Sequence, residues 1–384
     1  MRVSGKCGLC GFQGLVSSSI QVCYSCLKSK PVESLRLAWK ARAAWRSSVG
    51  FPLEPPRDGR VKCNVCVNEC WIPEGSSGFC GVWFNRGGRV EPVAGRGRLA
   101  VHTYLDPHPT NCVAAHLCPA VTGRGFPEYT FTRGVEWGFY NLAVFLGGCP
   151  LDCYFCQNWE HKTMISHGRL SGWARSMDVE DLVAEALEPN VTCVCYFGGD
   201  PTPHTPLLIL ASRRIIEESA GKGQKYKRIC WETDGLANPN IMREMGRLSL
   251  KTGGIVKIDW KAWTPSVYEA LTGVSGEKAV NRLKENTKLL ASMAKERIEP
   301  PLLVVSILLV PGYVTPEEVR SITEYLAGLE TTTPIVLLAF HPDHLMRDLP
   351  PTSRKHAEEA LKAAKESGIK EVYIGNEWLL GPYY

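Results

Sequence analysis

Sixteen cysteines in 384 residues, spaced at short recurring intervals, constrain this chain more than any other feature. They are too sparse for a disulfide scaffold and too many for an ordinary enzyme of a reducing compartment, so the spacing reads as metal ligation. Cys7, Cys10, Cys23 and Cys26 make two Cys-x2-Cys pairs separated by a stretch of hairpin length. Each pair fits a knuckle that puts two sulfurs on one ion, which predicts a zinc ribbon with no open coordination position, an iron–sulfur site being the alternative. Cys63, Cys66, Cys70 and Cys80 cluster ahead of the turn Asn85-Arg86-Gly87-Gly88 and predict a second site, either zinc or an auxiliary iron–sulfur cluster.

The third group is Cys149, Cys153 and Cys156, a Cys-x3-Cys-x2-Cys run that directly follows the apolar segment Leu142 to Leu146. Three thiolates on a loop leaving a strand can hold three corners of a [4Fe–4S] cluster and leave the fourth iron open to a ligand. Apolar runs at Leu142–Leu146, Val191–Phe197, Arg228–Trp231, Ile255–Asp259, Leu302–Leu309, Pro334–Phe340 and Glu371–Ile374 alternate with stretches of helical spacing at Val179–Leu187, Pro206–Ser219, Lys278–Lys295, Pro316–Leu329 and Ser353–Glu366. That order predicts an α/β fold with parallel strands and ligands at their C-terminal ends. The count of six or seven strands suits a partial (β/α)6-type TIM barrel preceded by small cysteine-rich metal-binding segments. The expected organisation is a ribbon over 1–30, a helical and Pro-rich linker over 31–60, a cysteine-rich extension over 61–135 and the barrel over 136–384.

The cysteine run, with Tyr154-Phe155 before its last member, resembles the motif of the radical S-adenosylmethionine (SAM) superfamily. Other elements appear in order: Gly198-Gly199-Asp200-Pro201 is similar to that family's Gly-Gly-Glu element, with Asp in place of Glu, and Glu232-Thr233-Asp234-Gly235 is similar to a polar strand end that faces SAM. Asp259-Trp260-Lys261, Leu271-Thr272-Gly273-Val274 and Val310-Pro311-Gly312 resemble stretches of pyruvate formate-lyase activating enzymes. The segment from Phe340-His341-Pro342 to the C-terminus resembles the AmmeMemoRadiSam-system branch. The resemblance covers roughly residues 61–384 and leaves the ribbon outside. It implies a [4Fe–4S] cluster on Cys149, Cys153 and Cys156, SAM as a cofactor held by Phe155, Gly198, Gly199, Asp200, Pro201, Glu232, Thr233 and Asp234, and a 5′-deoxyadenosyl radical that abstracts hydrogen from a substrate. It further implies a reductant such as ferredoxin or flavodoxin and raises a protein substrate, a glycyl-radical enzyme, as one possibility.

Other residues carry two readings. Lys257 and Asp259 alternate on a strand and so share one face, either as part of the cofactor site or as an internal ion pair. His341 ends a strand and is a candidate contact. Cys193, Cys195 and Cys230 read as small buried hydrophobes, while Cys112 and Cys118 belong to the second metal site, to the surroundings of the active cluster, or to packing. Composition excludes some classes. No run approaches the roughly 20 apolar residues of a membrane span, so a cytoplasmic protein is expected. The formal charge of +5 falls to about zero once thiolate-bound metals are counted, and a basic stripe is missing, so a nucleic-acid partner is not expected. The competing functions are an iron–sulfur electron carrier and a zinc protein associated with nucleic acid, neither of which would consume SAM.

Overall fold

A computed structural model describes residues 5–110, 112–221 and 227–384. Nine strands form one sheet: β1 (Leu99–Pro107), β2 (Tyr140–Leu146), β3 (Arg175–Met177), β4 (Val191–Gly198), β5 (Arg228–Thr233), β6 (Val256–Asp259), β7 (Leu303–Leu309), β8 (Ile335–Ala339) and β9 (Val372–Gly375). Their spatial order is β9-β8-β7-β6-β5-β4-β2-β1-β3. The seven strands expected from the apolar runs are all present and all parallel, and the sheet is extended by β1, antiparallel beside β2, and by β3, antiparallel beside β1. Periodicity missed β1 because its outer half is polar and partly exposed, with His102, Thr103 and Asp106 in place of a clean alternation.

The five expected helices form, three of them under side-chain caps in which Asp178 accepts from Asp181 N, Ser275 from Lys278 N and Ser353 from His356 N. Further helices not read from periodicity are Pro239–Thr252, which starts on an Asn238 cap, and Pro265–Thr272. Between consecutive strands from β4 to β9 at least one helix intervenes, which is the connectivity that parallel pairing demands. The β4–β9 strands are almost fully buried up to β8, and their side chains pack on these helices in one continuous core.

Alternation along the strands builds the interior. Cys193, Cys195 and Phe197 of β4 share a face, as do Arg228, Cys230 and Glu232 of β5, and register pairs Cys195 with Cys230 and Glu232 with Lys257. One cavity is lined from the loop after β2 and the ends of β4, β5, β6, β7, β8 and β9, so the sheet curves around it. The opposite end is closed by the segment between β1 and β2. There Ala114 and Leu117 pack on Ile255, Val304 and Val336, His116 stacks on Tyr373 at 4.7 Å, and Arg228 makes 2.8 and 2.5 Å contacts with buried Glu136. Cys112 and Cys118 enter the interior with this segment, away from the second cysteine group.

The N-terminal region docks on the barrel. The helix α1 (Pro31–Ser48) begins on Pro31 and buries Arg42 and Arg46. Ribbon residue Ser17 donates its N–H to the Tyr313 hydroxyl at 3.0 Å, which itself donates to Val22 O, and Tyr24 reaches Glu318 at 2.9 Å. Among the described residues no helix is long and apolar enough to cross a membrane.

Candidate active site and metal centres

Two glycines set the backbone of the cysteine loop. Gly148 holds φ at +85°, where a Cβ would lie 2.4 Å from Val82 and 2.7 Å from Cys80 O, and a Cβ on Gly199 would lie 2.0 Å from Gly148 O. The loop after β2 and the end of β4 are thus pressed together in a way that side chains would prevent. Gly199 N and Asp200 N donate to Leu146 O and Gly148 O, fixing the two strand ends to each other.

Cys149, Cys153 and Cys156 line the resulting cavity of about 180 Å³. No three of their potential ligand atoms and those of neighbouring acids meet at the spacing of a single small ion, in contrast to the ribbon, so the donor set suits a larger body with one corner each. Burial first, and then the Asp234 and Asp200 carboxylates, push the Cys149 thiol far above its ordinary pKa, so metal loading there must expel protons.

The same cavity is lined by Phe155, Gly198, Gly199, Asp200, Glu232, Thr233, Asp234, Lys257 and Asp259. Two expected residues stand apart. Pro201 is buried in the turn behind the cavity, and His341 is half exposed, with Asp343 3.7 Å away as its partner. Asp200 spends its carboxylate on the protein itself: it accepts from Thr202 N at 2.7 Å, Asp234 N at 2.6 Å and the Thr233 hydroxyl at 3.0 Å. It is a brace between the ends of β4 and β5, and burial followed by the nearby Asp234 charge raises its pKa to about 7. Asp234 lies 3.1 Å from the Cys149 sulfur and 3.1 Å from Lys261, which also pairs with Asp259. Lys257 lies 2.8 Å from Glu232. Lys261 was legible only as part of a motif; its position across from Asp234 comes from the curvature of the sheet.

A buried charge cluster behind the loop had no local signal. Asp152, between the first two loop cysteines, ion-pairs with Lys162, with Arg46 at 3.4 Å and with Arg42 at 3.8 Å, all of them almost fully buried. Burial opposes its ionisation, but Lys162, Arg46 and Arg42 together hold the carboxyl well below the usual range. Arg42 also donates to Asp152 O at 3.1 Å and Ala270 O at 2.9 Å, and the Tyr154 hydroxyl donates to Ala38 O. Trp159, which follows the cysteine loop in the chain, lies edge-on to Trp45 and stacks on His344.

The ribbon sulfurs form a closed four-donor set. Cys7 and Cys26 are 3.8 Å apart, as are Cys10 and Cys23, and all four sulfurs lie within 4.8 Å of one another. A tetrahedron of sulfurs about 2.3 Å from one ion has edges of about 3.8 Å, so a single ion fits. Cys63, Cys66, Cys70 and Cys80 line one small cavity with Trp83 and Pro203, and lack that tight spacing. Their segment reaches both strand ends: Asn68 donates to Pro150 O of the cysteine loop at 2.7 Å and Trp83 to Pro203 O of the turn after β4 at 2.9 Å.

Against known proteins, the family model of the radical SAM superfamily matches residues 144–326. An uncharacterized protein of Methanocaldococcus jannaschii is 26% identical over 333 residues, spanning 83% of this chain and 82% of that one. Among solved structures, a domain of a pyruvate-formate lyase-activating enzyme from Bacteroides vulgatus is similar over 48% of this chain and 99% of its own, with 20% identity and a TM-score of 0.38. SuiB of Streptococcus suis, bound to SAM, is similar over 59% of this chain and 47% of its own, with 11% identity and a TM-score of 0.41.

Proposed function

We propose, for a chain whose residues 144–326 match the family model of the radical SAM superfamily, that it is an enzyme which binds a [4Fe–4S] cluster on Cys149, Cys153 and Cys156 and uses SAM to start hydrogen abstraction from a substrate. The observation that carries this reading is the opening of all three thiols onto a cavity built from the ends of the parallel strands. When bound, the cluster and SAM supply a 5′-deoxyadenosyl radical; the residues of the chain bind, orient and exclude water. Gly198 and Gly199 offer backbone to the methionine end, and Asp234 and Lys261 provide charge beside it. Asp200, committed to its three internal donors, shapes the strand end instead of contacting the ligand. Phe155 and Glu232 face the nucleoside.

The ribbon is assigned to one structural zinc ion, which the 3.8 Å sulfur pairs support. The Cys63, Cys66, Cys70 and Cys80 set is assigned to an auxiliary iron–sulfur cluster, since its sulfurs are spread around a cavity instead of gathered on a point. Its contact with Pro150 and Pro203 makes it the entry for electrons from a low-potential donor such as a ferredoxin or flavodoxin. A protein substrate, including a glycyl-radical enzyme, suits the open strand ends.

Anaerobic reconstitution of the wild type and of a Cys149→Ala, Cys153→Ala, Cys156→Ala variant, followed by SAM and dithionite, tests the reading. 5′-Deoxyadenosine is expected from the wild type alone. A fully loaded, reducible wild type that makes none would leave an electron carrier as the better account.

A further inference from the structure

Below the SAM cavity, on the same inner face of the sheet, lies a second chamber of about 80 Å³ walled by five cysteines: Cys112, Cys118, Cys193, Cys195 and Cys230. The two cavities share Phe197, Glu232 and Lys257, and the chain passes between them at Val113, which lines the upper one, and Cys112, which lines the lower. The Lys257 ammonium sits between two of the sulfurs, 3.3 Å from Cys112 and 3.2 Å from Cys195, while paired with Glu232. Cys112 Sγ is 3.6 Å from the Glu232 carboxylate.

This is a thiol site and not a metal site. In the ribbon, sulfurs converge at 3.8 Å with no cation among them; here a fixed ammonium occupies the place an ion would take, and no three donors gather closely enough for one. Burial keeps the thiols protonated. A protonated thiol is a poor nucleophile, yet its S–H bond is weaker than an ordinary C–H bond, which makes it a good hydrogen-atom donor to carbon radicals. Cys112 is the better placed of the pair, being partly exposed where Cys195 is buried and next in the chain to Val113, which lines the upper cavity.

We propose that Cys112, held with Cys195 on the Lys257 ammonium, is the hydrogen-atom donor to the carbon radical generated in the adjoining cavity, so that the substrate class is one whose carbon radical is quenched by a hydrogen derived from solvent. The inference rests on the radical reading above. In the step, the S–H bond of Cys112 breaks and a C–H bond forms on the radical, leaving a thiyl. One electron from the same low-potential donor class that drives SAM cleavage reduces the thiyl to a thiolate. Lys257 passes it a proton and is reprotonated from water, so the sum is radical plus one electron plus one proton giving C–H.

The test runs the cluster-loaded enzyme with SAM and dithionite in D2O, without added substrate or added thiol. The nucleoside radical then takes its hydrogen from the nearest donor. Exchanged thiols deliver deuterium, whereas protein C–H bonds do not. The ratio of monodeuterated to unlabelled 5′-deoxyadenosine is expected to be high in the wild type and to fall at least tenfold in Cys112→Ala, with Cys193→Ala as the control that leaves it high. An unlabelled wild-type product, or a ratio unmoved by Cys112→Ala, overturns the proposal while leaving the radical reading intact. No 5′-deoxyadenosine at all from a loaded wild type sinks both.

Discussion

Replacing Asp152 by Asn is isosteric and removes one buried negative charge while leaving Arg42, Arg46 and Lys162 around the site. Breaking a buried ion pair by removing one partner costs about 3–5 kcal/mol, because the remaining charge is left desolvated. Here three cations lose one anion, and Arg46 keeps its bonds to Pro52 O and Phe79 O and its position 3.6 Å over the Phe79 ring, so it cannot swing out to water. The upper part of that range is therefore expected. Urea unfolding of the anaerobic, iron-free protein, followed by circular dichroism, reads the effect: with a slope of about 3 kcal/mol/M, the midpoint drops by about 1.3–1.7 M. A cycle with Arg42→Met and Arg46→Met separates charge pairing from general damage to the loop. Asp152→Asn in that background is expected to cost at least ~1.5 kcal/mol less than in the wild type. Additivity within about 0.5 kcal/mol, or a midpoint shift below about 0.3 M, would refute the claim that the N-terminal helix clamps the cysteine loop through Asp152. Iron bound after reconstitution should fall in parallel, since the clamped residue stands between Cys149 and Cys153 in the chain.

Three other outcomes are expected. Cys7→Ser with Cys10→Ser should release one equivalent of zinc per chain in a pyridylazoresorcinol assay and lower the melting temperature, because the ribbon bonds to Tyr313 and Glu318 depend on a metal-folded loop. Arg228→Met should cost about 3–5 kcal/mol by stranding buried Glu136, with most of the loss recovered in Arg228→Met, Glu136→Leu. His108 is lowered to about 4 by burial first and by Arg228 second, with Glu136 opposing. Its folded value lies below the unfolded one of about 6.5, so the unfolded chain takes up the proton first. Stability contributed here is whole above about pH 6.5 and is lost as pH falls toward 4, by up to about 1.4 kcal/mol per pH unit. His108→Gln should flatten that difference in urea midpoints measured at pH 7 and pH 5, and an identical pH dependence in both proteins would count against it.

Much of the site was legible along the chain because its parts are local. Cys149, Cys153 and Cys156 need only a short loop after an apolar strand, and the ribbon pairs need only two knuckles. Seven strands could be read from apolar runs, since buried parallel strands have no polar face to interrupt them. The helix Pro239–Thr252 was not, because Met242, Met245, Leu248 and Ser249 make too thin a stripe beside many polar residues. Nor did the motif at Asp200 reveal that its carboxylate is turned onto Thr202, Thr233 and Asp234, a fact about two strand ends meeting.

What the sequence by itself determined is therefore the alternation of strands and helices, the three cysteine sets and the resemblance to the radical SAM motif, all carried by spacings within a few residues. Only the tertiary structure decided what distant residues do to one another. It drew Arg42 and Arg46 onto Asp152 and turned the segment around Cys112 into the floor of the barrel. It also gathered five thiols from three separate stretches around Lys257. The reason is physical: the curvature of a twisted sheet fixes which inward-facing side chains meet, and that curvature is set by the packing of the whole chain and not by any one segment.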